Sequence, residues 1–150
     1  MSVLVKGGGD RGQYLDVDLV PDSTLETELD ALKAAGTDIV GKLITLTTAA
    51  NYECTSAADG AVPDGKVDSY EIRGSTYVLH CKLWHYTDQN TTGHTAKGII
   101  NIPYSSIALG DTVEVSNGTT FYTIRDATSG GWGFVIAKDV PGSGYCDVLF

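Results

Sequence analysis

The chain has 150 residues, 42% apolar and 19% charged. It is long enough to bury a hydrophobic core and too apolar for general disorder. A net charge of −9 without a Lys/Arg cluster argues against nucleic acid and anionic membrane surfaces as partners.

Residues 1–20 read as an extended N-terminal arm. Val3-Leu4-Val5 is a short apolar patch, and Gly7-Gly8-Gly9 tethers it through a backbone that accepts almost any angle. From Tyr14 the chain alternates, with Leu15, Val17 and Leu19 on one face and Asp16 and Asp18 on the other, which is a strand pattern. Residues 21–150 read as a single β-rich domain. It opens with one helix at about 23–35, where Ser23 and Glu26 make a capping box and Leu25, Leu29 and Leu32 form one apolar stripe. Gly36 closes it in a left-handed cap.

The stretch 37–72 follows. Ile39 to Leu46 is an apolar, β-branched run, a second strand falls around Tyr52–Thr55, and a loop rich in Asp, Gly and Pro leads to Lys66–Ile72. A long strand is expected over Thr76–Tyr86, then a polar loop over 87–95, then a strand from Ala96 to Ile102 that Pro103 stops. Asn117-Gly118 favours a type I′ turn, which would pair Val115 with Thr120 and Val113 with Tyr122. Trp132–Lys138 and Tyr145–Phe150 complete the strands. With 18 glycines, 8 tyrosines and no Gly-X-Y period, the class is mainly β: a small β-barrel or β-sandwich with one short N-terminal helix and the arm.

The chemistry-bearing residues do not form a known constellation. Cys54, Cys81 and Cys146 are odd in number and widely spaced, so they are expected as buried free thiols in a reducing compartment. Nothing near the N-terminus has the length of a signal peptide, and no apolar run has transmembrane length, so synthesis in the cytoplasm is expected. His80, Cys81, His85 and His94 match no zinc spacing and are read as structural or surface residues. An EF-hand reading of the 59–68 loop fails, because Gly65 at the sixth position puts Gly60 first and Val62 third. Asp59, Asp64 and Asp68 leave a looser calcium site to weigh against plain turn formation, and the turn reading is preferred. No G-x-S-x-G, phosphate loop or H-E-x-x-H occurs. The expectation is therefore no enzyme, no metal and no cofactor. Trp84 with Tyr86, and Trp132 with Phe134, would each share a strand face; they are read as core before sugar platform.

The order Ile39-Val40-Gly41-Lys42-Leu43-Ile44-Thr45-Leu46, Ala57-Ala58-Asp59-Gly60 and Asp64-Gly65-Lys66-Val67 resembles the small head decoration (cement) proteins of tailed bacteriophages. Ala108-Leu109-Gly110-Asp111-Thr112-Val113-Glu114-Val115 before a hairpin looks similar too. The likeness is one of layout over residues 37–125 and carries over no individual functional residue. It implies a structural protein on the outside of an assembled capsid, often a trimer, with the major capsid protein and its own copies as partners. Nucleic acid and membrane are not expected as partners, and the location would be the virion surface after synthesis in the host cytoplasm. Val3, Leu4, Val5, Tyr14 and Leu15, with Leu149 and Phe150 second, are the expected contact residues. The competing reading is a carbohydrate-binding or tail-associated adhesion module using the aromatic pairs.

Overall fold

The structure is a computed structural model that describes residues 10–116 and 123–150. In chain order the elements are β1 (Arg11–Gly12), β2 (Leu15–Pro21), α1 (Ser23–Ala34), β3 (Leu43–Leu46), β4 (Glu53–Ser56) and β5 (Gly65–Arg73). Then come β6 (Thr76–Leu83), β7 (His85–Thr87), β8 (Gly93–Thr95) and β9 (Gly98–Ser106). β10 (Val113–Ser116), β11 (Thr123–Asp126), β12 (Phe134–Lys138) and β13 (Tyr145–Leu149) follow. The fold is mainly β with one short helix, as the composition implies. The chain forms two compact units, where a single domain over 21–150 is expected from the sequence.

One unit comprises Tyr14–Ala58 and Pro63–Thr95. Its strands close into a barrel in the order β2-β4-β3-β5-β6, with β2 pairing parallel to β4 and antiparallel to β6. Closure gives each of these five strands a partner on both sides, and β7 and β8 pair with each other as a separate two-stranded sheet. The alternation of β2 explains its place: Val17 and Leu19 join the core, while Asp16 and Asp18 face water. Residues 15–20 are thus a barrel strand, not part of an arm, because their apolar face is needed to close the core. Leu25 and Leu29 of α1 pack with Ile39, Ile44, Val67, Tyr77 and Leu79 in that core.

The helix ends differ from the expected cap at one end only. Asp22, not Ser23, is the N-cap: its backbone is extended and its Oδ1 accepts from the Leu25 N–H at 2.8 Å. At the other end Thr37 N–H donates to Leu32 O and Gly36 N–H to Lys33 O, with Gly36 at φ +73°, which is a Schellman cap. Lys42, in the turn before β3, is fully buried, with its Nζ 3.2 Å from Glu28 Oε2 on the helix.

The other unit comprises Met1–Gln13, Asp59–Val62 and Ala96–Phe150. Its sheet runs β10-β11-β9-β13-β12, with β1 also pairing β9. Ile100, Ile102, Val113, Val115, Ile124, Val135, Cys146 and Val148 are buried. Arg125 ties the 59–62 segment to the sheet through Asp59 and also bonds Glu114. Asn101 Nδ2 donates to Val140 O, Cys146 O and Asp147 Oδ1, which fixes the turn before β13 onto β9.

Strand boundaries move, and one register does. The expected strand over 76–86 breaks at Trp84, where the Trp84 and His85 N–H groups both donate to Asp64 O. β9 passes through Pro103, which pairs with Tyr145 at the end of β13; beyond it β9 continues beside β11. The missing N–H therefore falls where the strand changes partners. In the β10–β11 pair Val115 lies opposite Ile124 and Val113 opposite Asp126, not Thr120 and Tyr122. This register puts an apolar residue opposite Val115 and buries it. The Asn117-Gly118 turn lies outside the described residues.

Candidate functional site

The three histidines are each held by a separate carboxylate. His80 Nδ1 is 2.5 Å from Asp18 Oδ1, with Glu71 on its other nitrogen at 3.4 Å. His85 Nδ1 is 2.8 Å from the buried Asp64, which also accepts from Leu46 N–H. His94 Nε2 is 3.0 Å from Asp88 and its ring stacks on Tyr86. The hydrogen bond that His80 donates to Asp18 holds the imidazole pKa above its ordinary value, and His94 first among its partners holds the Asp88 pKa below its own. Cys81 lies in the barrel core beside Cys54, whose thiol is pushed up by its hydrogen bond with Cys81 and then by burial. All three cysteines are free and buried, and burial raises Cys146 to about 12. Among the described residues no group of three or more His, Cys, Asp or Glu side chains is placed to hold a metal ion.

The aspartates of the 59–68 loop also go separate ways. Asp59 pairs with Arg125, Asp64 is buried against His85, and exposed Asp68 sits in a β-bulge of β5. Each carboxylate except Asp68 already has a polar partner that explains it, which favours the turn reading.

Neither aromatic pair forms a platform. Trp84 and Trp132 are buried, while Tyr86 and Phe134 are exposed. Period-two alternation fails at both places. Trp84 falls between two strands, and Gly131 and Gly133, both at positive φ, flank Trp132. An open depression on the barrel unit is lined by Asp16, Val17, Asp18 and Tyr52.

Of the expected contact residues, Val3, Leu4 and Val5 lie outside the described residues. Tyr14 is half-buried, with Lys82 Nζ 4.4 Å from its ring centroid. Leu15 is 63% exposed at the end of β2, opposite Leu83. Phe150 is half-buried, bonded through its backbone to Gly98, whose added Cβ would meet the Phe150 ring at 3.1 Å. Leu149 is exposed and pairs with Phe134 on β12 and Ile99 on β9. Leu15 and Leu149 belong to different units, so the candidate set is not one patch within either unit.

Sequence reasoning missed Phe134 and Ile99 as neighbours of Leu149. Their strand patterns were legible, but the pairing that aligns them is not written in any one strand. No helix among the described residues is long and apolar enough to cross a membrane. Compared with family models, curated proteins and solved structures, the chain finds no match in any of the three.

Proposed function

We propose that this chain is a structural protein that binds the outside of an assembled phage capsid and cements neighbouring coat subunits. The observation that carries the reading is the exposed apolar pair Phe134 and Leu149, side by side on a sheet face of a mainly β protein. The layout resemblance over 37–125 supports it. Leu15 on the barrel unit is a further exposed apolar contact. A phenylalanine that is 49% exposed offers roughly 100 Å² of apolar surface, or about 2.5 kcal/mol on full burial. One such contact gives only weak binding, so cementing relies on several contacts per copy and on copies joined as a trimer, whose affinities multiply.

The test is co-sedimentation with empty heads of tailed phages. The intact protein pellets with the shells, and Leu15→Asp combined with Leu149→Asp lowers its affinity at least tenfold. Failure of the intact protein to pellet with any shell would sink the proposal.

The alternative, a carbohydrate-binding or tail-associated adhesion module, is favoured by a different observation. Exposed Tyr52 and the carboxylates of Asp16 and Asp18 line one depression, an aromatic surface beside hydrogen-bond acceptors. Saturable chemical-shift changes at Tyr52 on titrating oligosaccharides, lost in Tyr52→Ala, would support it over the capsid reading.

A further inference from the structure

The barrel closes over only part of β2. Of that strand's seven residues, Val20 and Pro21 pair with β4, whereas Leu15 to Leu19 pair only with β6. β4 begins at Glu53, and the chain before it belongs to the turn from β3, with Tyr52 at φ +53°. Backbone groups along a strand point to alternate sides. The Val20 and Asp22 N–H groups donate to Tyr52 O and Cys54 O at 2.8 Å each. The backbone groups of Asp16 and Asp18, at the same parity, therefore point to that side too. Among the described residues no strand meets them there. Asp16, Val17, Asp18 and Tyr52 line the open depression at this place. The barrel thus carries a short strand edge, with the N–H and C=O of two residues aimed into an open recess.

The chemistry around this edge selects its occupant. Asp16 and Asp18 are exposed on the outer face and stand about 6.7 Å apart, two residues along one strand. Asp18 meets His80 on the β6 side through Oδ1. Two copies of this edge paired antiparallel would set the carboxylates against each other, in a chain of net charge −9. That repulsion disfavours a second copy. A strand with lysine or arginine at alternate positions instead sets a cation beside each carboxylate. The exposed Tyr52 ring offers the same cations a π face. The residue between the two cations points to the other face, toward half-buried Val17, where an apolar side chain fits.

We propose that the free edge of β2 at Asp16 and Asp18 takes up an extended segment of a partner protein, basic–apolar–basic in pattern, by strand addition. Main-chain bonds to Asp16 and Asp18 supply the affinity, and the two carboxylates with Tyr52 supply the preference for cations. The inference goes beyond the capsid reading and does not depend on it. It gives the depression to a peptide in place of a sugar.

NMR with the synthetic peptide acetyl-Thr-Lys-Val-Lys-Thr-amide tests it. In the free protein the Asp16 and Asp18 amides should be at least tenfold less protected from hydrogen exchange than those of Val17 and Leu19, which face β6. Added peptide should protect them and shift their signals saturably. Replacing both peptide lysines by glutamate, or combining Asp16→Asn with Asp18→Asn in the protein, should weaken binding about tenfold or more. N-methylation separates strand addition from charge attraction, because it removes N–H donors and keeps the charge. Only alternate peptide amides face β2. Methylating the two lysine amides in one peptide, and the valine and C-terminal threonine amides in another, should abolish binding in one case and spare it in the other. Equal affinities of the two methylated peptides, or no saturable shift with the unmodified one, would overturn the proposal. Protection of Asp16 and Asp18 equal to that of Val17 in the free protein would mean that the edge is already covered, and would overturn it as well.

Discussion

Lys42 offers the sharpest quantitative test of the barrel. Its side chain is fully buried and meets Glu28 Oε2 at 3.2 Å. Burial lowers its pKa from 10.5 to about 8, and Glu28 offsets only part of that. The folded state therefore releases the proton more readily than the unfolded chain. The unfolded chain binds more protons between those two values, so this residue makes stability rise as pH increases through that window. At pH 7 the buried charge costs about 3 kcal/mol, and at pH 10 about 1 kcal/mol. Lys42→Met removes the titrating group and keeps a similar volume, and Glu28, partly exposed, retains access to water. The stability of Lys42→Met relative to the parent should therefore fall by about 2 kcal/mol between pH 7 and pH 10. Each unit holds one tryptophan, Trp84 in the barrel unit and Trp132 in the other. Urea unfolding followed by fluorescence in a Trp132→Phe background thus reports the barrel unit alone. An equal stability difference at both pH values would refute the account of a charged lysine desolvated in the fold.

The helix cap and His80 give two smaller tests. Asp22→Ala should cost about 1 kcal/mol by urea unfolding, and Ser23→Ala only a few tenths, since Asp22 makes the capping bond; the reverse order would restore Ser23 as the cap. His80 should titrate above its ordinary 6.5 by NMR and return towards it in Asp18→Asn. With the folded value raised, the stabilisation is complete below the unfolded value and is lost as pH rises through the folded one, so the stability gap between parent and Asp18→Asn should close over that range.

Local rules were enough where one stretch of chain settles the outcome. The leucine spacing of α1, Gly36 as its C-terminal stop and the alternation of Leu15 to Leu19 all depend on neighbours a few residues away. The cap at Asp22 was missed because two adjacent polar residues both suit an N-cap, and only the backbone of Asp22 decides between them. Trp132 and Phe134 share parity in the sequence, yet one is buried and the other exposed, because flanking glycines at positive φ break the alternation.

Composition and pattern determined that this is a mainly β protein with one N-terminal helix, buried thiols and no recognised metal or catalytic spacing. Tertiary structure decided what those strands do together. β2 closes a barrel instead of extending an arm, and residues 59–62 join a different unit from the strands on either side of them. It also aligned Ile99, Leu149 and Phe134 from three strands far apart in the chain. The physical reason is that backbone hydrogen bonding lets any strand pair with any other. Partner and register are selected by how much apolar surface the whole assembly buries, and no single segment carries that sum.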